Sequence, residues 1–200
     1  MTRLEAAVQI LKQGGVVVYP TDTAYGLAVD ATNAKAVAKL YRLKGRDFKN
    51  PMHIIFPGAD WLKKLVKLNK PALKLMNKFL PGPLTLVLPL KARGKAWQLL
   101  SAETKTLGVR LPNHPLALGL VEGLGRPITT TSANISGTPV NYSVPGVKKQ
   151  FSKAQFQPDY YLDGGKLLNT KPSTVVSLVK GVKIIRIGPI SEKQIKNTLN

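Results

Sequence analysis

Leu11-Lys12-Gln13-Gly14-Gly15-Val16-Val17-Val18-Tyr19-Pro20 holds the end of one element and the start of the next. Leu4, Ala7, Val8 and Leu11 recur at helical spacing, and Gly14-Gly15 stops that helix. Residues 16–19 follow as an unbroken apolar run, the mark of a buried strand, and Pro20 ends it. The alternation continues outward. Asn33 is placed to cap a helix with Val37, Leu40 and Tyr41 on its apolar face. Residues 52–56 read as a strand interrupted by His53, and two helical segments follow near 59–67 and 71–79. Pro81-Gly82-Pro83 is a firm break. Residues 84–90 and 107–111 read as strands, 115–122 as a helix, and 128–131 as a strand. Strands alternating with helices predict an α/β sheet. Residues 160–162, 174–179 and 182–187 are strands with little helix between them, so antiparallel pairing enters there and the sheet is mixed. Ser191 caps a closing helix to Leu199. Residues 139–146, rich in Pro, Gly, Asn and Ser, are expected to form a mobile loop.

Two hundred residues with 44% hydrophobic and 20% charged content fit one globular domain over 1–200. The charge is lopsided: 30 Lys plus Arg against 10 Asp plus Glu, net +20. Such a field attracts nucleic acid, nucleotides or anionic lipid, or serves solubility alone. The absence of cysteine excludes disulfide and thiol chemistry and fits a reducing cytoplasm. No run approaches a membrane span, and the N-terminal residues lack the apolar core of a signal peptide. Two histidines and few clustered acids make a structural metal site a poor fit.

Lys44-Gly45-Arg46 sets two cations two residues apart, suited to gripping a polyphosphate. Gly45 would let the backbone approach closely. The bland reading is a basic helix end that complements the helix dipole. Thr129-Thr130-Thr131-Ser132-Ala133-Asn134 ends an apolar strand with four consecutive hydroxyl residues and an amide. Open α/β sheets bind ligands beyond the carboxyl ends of their strands. A loop of this kind suits an anion, although a turn satisfying its own backbone would look the same. Pro20-Thr21-Asp22-Thr23 follows its strand in the same way. Arg110 lies among apolar residues and needs an anion, either a ligand or a salt bridge to Asp22 or Glu122. Pro172-Ser173-Thr174 and Arg186-Ile187-Gly188 could line the same cleft. Neither G-x-x-x-x-G-K-[ST] nor G-x-G-x-x-G occurs.

Taken in order, the runs beginning at Pro20, Lys44, Pro81, Gly108, Thr131 and Arg186 resemble the threonylcarbamoyl-AMP synthase family, the YrdC-like domain, over about residues 5–195. The resemblance implies a twisted open mixed sheet with flanking helices and a basic concave face. It implies a nucleotidyltransferase that joins L-threonine, bicarbonate and ATP into threonylcarbamoyl-AMP, with Mg²⁺ on the ATP phosphates. A separate threonylcarbamoyl transferase would use the product to modify tRNA. By the same likeness Lys44, Arg46, Ser132, Asn134 and Arg186 serve ATP, with Lys44 and Arg46 catalytic. Thr21, Arg110, Thr130 and Ser173 hold threonine, Arg110 facing its carboxylate. Three departures stand out: Asp47 where members often carry Pro; His53 where they usually carry an apolar or small residue, with Ile55 where a His is sometimes found; and Lys171-Pro172-Ser173-Thr174 in place of a Glu-Ser-Thr pattern. The alternative is a non-catalytic relative whose basic face binds tRNA, ribosomal precursors or double-stranded RNA.

Overall fold

Val16 and Val18 enter one hydrophobic core, while Val17 and Tyr19 enter another. The apolar run is unbroken because the strand is covered on both faces. In the computed structural model, which describes residues 1–200, the chain runs α1 (Arg3–Lys12), β1 (Val17–Pro20), β2 (Tyr25–Ala28), α2 (Ala34–Lys44), β3 (His53–Ile55), α3 (Ala59–Leu65), α4 (Lys70–Phe79), β4 (Leu84–Pro89) and α5 (Lys95–Ser101). It continues through β5 (Thr106–Arg110), α6 (Pro115–Leu124), β6 (Ile128–Ser132), α7 (Val144–Phe151), β7 (Tyr160–Tyr161), β8 (Thr174–Ser177), β9 (Lys183–Arg186) and α8 (Glu192–Leu199).

The strands form one open sheet in the order β7-β1-β2-β6-β3-β5-β4-β8-β9. Three neighbouring pairs are parallel, β1 with β7, β3 with β5 and β4 with β8. The other five are antiparallel. Helices α1 and α6 cover one face through Ala7, Leu11, Ala117 and Leu120. The larger core on the other face takes Val37 and Leu40 of α2, Leu75 of α4, Leu100 of α5 and Ile195 of α8. Expected caps are in place: Asn33 accepts from the N–H groups of Lys35 and Ala36, and Ser191 forms a reciprocal box with Gln194.

Several expectations are corrected. Antiparallel pairing runs through the whole sheet and is not confined to its last strands. Pro20 is the last residue of β1, paired with Tyr25 at the mouth of a hairpin, where its missing N–H costs no ladder bond. Strand β2 was not visible in the sequence because all four of its residues are buried, so it shows no alternation, and Gly26 interrupts it. Helix α5 is short and starts at Gly94 without a side-chain cap. Residues 139–146 are not one loop. Ser143 caps α7, whose first turn takes in Pro145 and Gly146. The preceding stretch is tied down by Asn141, whose side chain donates to the carbonyl of Ala133 and whose carbonyl accepts from the N–H of Tyr25.

Candidate functional site

Helix α2 ends on Gly45, which takes the left-handed conformation at φ +58°. The Arg46 N–H then bonds back to the Tyr41 carbonyl at 2.9 Å. No atom lies near where a Cβ at Gly45 would stand, so the residue is there for its φ and not for close approach. The turn sends Lys44 and Arg46 in opposite directions.

Lys44 goes inward and is 1% exposed. Its Nζ donates to the carbonyls of Ser132 (2.6 Å) and Asn134 (2.7 Å) and to Asn134 Oδ1 (3.0 Å). Its own carbonyl accepts from the Ser136 N–H. Burial, then the nearby Arg46 charge, pushes the ammonium down to about 7. The three oxygens favour the charged form, which offers one proton to each. Asn134 completes the clamp. Its Oδ1 also accepts from Ser132 Oγ (2.5 Å), and its Nδ2 donates to the Thr138 carbonyl (2.6 Å). Lys44 and Asn134 therefore stand behind the 132–138 loop and set its shape.

Arg46 goes outward. Its Nε donates to the Asn50 carbonyl and its Nη2 to the Pro51 carbonyl, closing the 46–51 loop on itself. Asp47 serves the same loop by accepting from the Lys49 N–H. Arg46 and Ser132 lie on the wall of one open cavity of about 250 Å³, joined there by Thr21, Arg110, Thr130, Ser173 and Arg186. Seven of the nine candidate residues thus share one wall, and the remaining two brace it.

Three guanidiniums face this space from separate parts of the chain: Arg46 after α2, Arg110 at the end of β5 and Arg186 at the end of β9. None of the cavity-lining residues is acidic. Arg110 forms a buried ion pair with Asp22, and its Nε has no partner. Of the two acids open to it on sequence grounds, Asp22 is the one it meets. Arg186 donates to the Ser173 carbonyl (3.0 Å) and to Ser173 Oγ (3.2 Å). Burial lowers its pKa first, and the Arg110 charge adds to that. Thr174 Oγ1 accepts from the Gly188 and Ile190 N–H groups, which pins the chain after β9 to β8. A side chain at Gly188 would collide with the Pro172 carbonyl at 2.1 Å, so this approach requires glycine.

The candidate threonine set is less free than its composition implied. Thr21 Oγ1 accepts from the N–H groups of Thr23 and Ala24 and donates to the Ala24 carbonyl, closing a tight turn. Ser173 Oγ also bonds Thr85 Oγ1 at 2.9 Å. Thr130 stands opposite His53 across the β6–β3 ladder.

The Sua5/YciO/YrdC family model, described as telomere recombination, matches residues 9–188. The chain belongs to this family. The putative threonylcarbamoyl-AMP synthase of Methanocaldococcus jannaschii is 36% identical over 92% of this chain and 84% of its own length. The threonylcarbamoyl-AMP synthase of Bacillus subtilis is 34% identical over 97% of this chain and 56% of its own length. The crystal structure of Pyrococcus abyssi Sua5 complexed with L-threonine superposes with a TM-score of 0.90 at 33% identity, covering 98% of this chain and 57% of that one. The chain therefore spans a little over half the length of the latter two.

Tyr25, Tyr142 and Thr170 also line the cavity and were not picked out from the sequence. Tyr25 Oη donates to Asp163 Oδ1 and to the Gly165 carbonyl and accepts from the Gly164 N–H. The Asp163-Gly164-Gly165 turn is thus the receiver for a buried tyrosine. The available signal was Tyr25 itself, since a tyrosine inside a core needs a partner for its hydroxyl. Thr170 is held by its bond to the Thr23 carbonyl, a contact between distant segments that left no local trace.

Proposed function

We propose that this chain condenses L-threonine, bicarbonate and ATP into threonylcarbamoyl-AMP and pyrophosphate. The observation that carries the reading is the convergence of Arg46, Arg110 and Arg186 on one acid-free wall beside the Ser132 strand end. Relatives named as threonylcarbamoyl-AMP synthases over most of this chain support it. The threonine complex of Pyrococcus abyssi Sua5 supports an amino-acid subsite in the same fold.

The threonine amine adds to carbon dioxide with loss of a proton, or condenses with bicarbonate with loss of water, to give a carbamate. A carbamate oxygen attacks the α-phosphorus, and pyrophosphate leaves. Arg46 and Arg186 hold the triphosphate and stabilise charge as it develops. Ser132 adds a hydroxyl, which the Lys44–Asn134 clamp holds in position. Arg110, with Thr21, Thr130 and Ser173 around it, receives threonine, whose carboxylate replaces Asp22 or fills the vacant Nε direction. Mg²⁺ would enter with ATP, on its phosphates, as part of the substrate. The product would pass to a threonylcarbamoyl transferase for tRNA modification in the cytoplasm. No helix is long and apolar enough to cross a membrane.

Purified protein incubated with ATP, Mg²⁺, threonine and bicarbonate should release pyrophosphate in a threonine-dependent way. RNA binding without such release would instead support the non-catalytic relative.

A further inference from the structure

A second open cavity, of about 840 Å³, lies at the other end of the sheet. Strand β5 separates the two. Arg110, its last residue, lines the first cavity, and Lys105, just before its first residue, lines the second. Thr106 to Arg110 spans roughly 13 Å at the usual strand rise. Four cations line this second space, Lys67 before α4, Lys91 and Arg93 after β4, and Lys105, against a single acid, Glu103. All five side chains belong to exposed residues, and none enters any of the four ion pairs of the chain. Only Lys91 spends its ammonium within the protein, on the Lys63 carbonyl at 2.7 Å. The rim is strained as well. Ala102, Glu103 and Lys105 are the three non-glycine residues with positive φ (47°, 60° and 58°), and they fall within one four-residue stretch. L-residues enter that region at a cost, and such outliers concentrate at binding sites and switches.

The two cavities differ in kind. In the first, arginines are tied by hydrogen bonds to the loops around them, which suits one small anion held in one pose. In the second, free heads on flexible stems, mostly lysine, supply charge without fixed geometry. No aromatic side chain lines it, so exposed bases would find nothing to stack on. None of the chain's exposed large apolar residues lies there, so it offers no apolar face to a bilayer. The chemistry that fits is a polymer with phosphates outside and bases hidden. We propose that this cavity binds the phosphodiester backbone of a nucleic-acid duplex, at the end of the sheet away from the arginine wall. The inference does not depend on what the first cavity takes. Each phosphate contact displaces counterions, so the affinity falls as salt rises.

Fluorescence anisotropy with a short labelled RNA duplex tests this across a salt series. Lys67→Glu combined with Arg93→Glu should weaken binding by about tenfold or more and flatten the slope of log affinity against log salt by about two. The control reverses Lys12, at the end of α1, and Lys153, after α7, both exposed. It removes the same charge elsewhere and should weaken binding by less than about threefold. Equal losses in the two pairs would reduce the effect to net charge and overturn the proposal, as would a wild-type protein that binds no duplex. Arg46→Ala should bind the duplex within about threefold of wild type, and Lys67→Glu/Arg93→Glu should release pyrophosphate as the wild type does. A duplex lost through Arg46→Ala would lie in the first cavity instead, which also overturns the proposal. A DNA duplex of the same length separates the sources. Tighter RNA binding assigns RNA, and equal binding assigns backbone charge common to both. Phosphatidylserine vesicles that lose their hold on the double variant while the duplex keeps its own would make the surface a membrane site and sink the inference. Should the double variant fail to fold, lysine acetylation of the wild-type protein decides. The duplex should shield Lys67, Lys91 and Lys105 and leave Lys12 and Lys153 reactive, and uniform protection would overturn the assignment.

Discussion

Lys44 and Arg46 stand two residues apart, yet they belong to regions governed by different physics. Behind the cavity, Lys44 and Asn134 form a buried clamp whose donors and acceptors are spent on each other and on the 132–138 loop. On the wall, Arg46 and Arg186 are cations with no acidic partner, and Arg110 is held by Asp22 with its Nε left over. The clamp resembles a folding core built from polar groups, where removing one member strands the others. The wall resembles a receptor in which like charges are kept together at a cost that a ligand offsets. A Lys-x-Arg motif and a Ser-x-Asn motif each send one residue to each region. The pairs that look like single units in the sequence are split between structure and chemistry.

The sharpest way to break this comparison is Lys44→Met. Three buried oxygens lose their donor, and an unsatisfied buried group costs about 1–3 kcal/mol each. Partial relaxation should leave a net loss of about 3 kcal/mol or more, in line with breaking a buried charged cluster. For a chain of this size that lowers the melting temperature by roughly 6–12 °C. Thermal melts followed by circular dichroism would show it. A variant with wild-type melting temperature and no pyrophosphate release would mean that Lys44 acts directly on phosphate and that no clamp exists.

Arg46→Ala tests the wall. It should cut threonine-dependent pyrophosphate release by about 10²-fold or more, since a cation aimed at developing charge is lost. Its two loop bonds are exposed, so stability should fall by less than about 1 kcal/mol. The pair of variants should thus separate cleanly, Lys44→Met failing first in the melt and Arg46→Ala failing only in turnover. Equal effects of both on both readouts would erase the distinction between the regions.

How far this division was legible in the sequence follows from its cause. Elements with a one-sided signal were readable: α1 from its apolar stripe, α2 from Asn33, β1 from its unbroken valines. That most candidates share one cavity was legible from the ordered family resemblance, and seven of the nine line it. What could not be read is direction. Whether Lys44 turns inward depends on a left-handed glycine meeting a loop that arrives some ninety residues later. The sequence records the glycine but not the meeting. Arg110 was open between a ligand and two acids for the same reason, and only the fold selects Asp22. Short, fully buried β2 carried no pattern to read.

A smaller effect is expected where wall and sheet touch. Gly108→Ala would push a methyl group into the His53 ring. Relief requires the imidazole to swing into the cavity or β3 to shift, and overpacking of this kind costs about 1–3 kcal/mol. Burial, more than the nearby arginines, lowers the His53 pKa to about 4, so a displaced ring should titrate higher, its NMR midpoint moving up toward the ordinary histidine range. If the midpoint stays where it is in the wild-type protein while stability falls, the strain has been absorbed by the backbone, and the ring is fixed by more than Gly108.

The smallest effect belongs to the hinge between the two regions. Gly45→Ala puts a side chain at φ +58°, where an L-residue is strained, although nothing stands within 4 Å of the new methyl. The cost is conformational only, about 1 kcal/mol. A pure stability loss of that size, with turnover unchanged, would mean that the clamp and the loop bonds of Arg46 each hold their own side of the turn without help from the glycine. A loss of turnover well beyond the loss of stability would mean instead that the left-handed turn itself aims Arg46. The quantity to measure is therefore the ratio of the two effects, taken from a denaturant titration and a pyrophosphate assay on the same preparation. A ratio of turnover loss to stability loss near zero keeps wall and clamp independent. A large ratio makes the helix terminus part of the catalytic geometry.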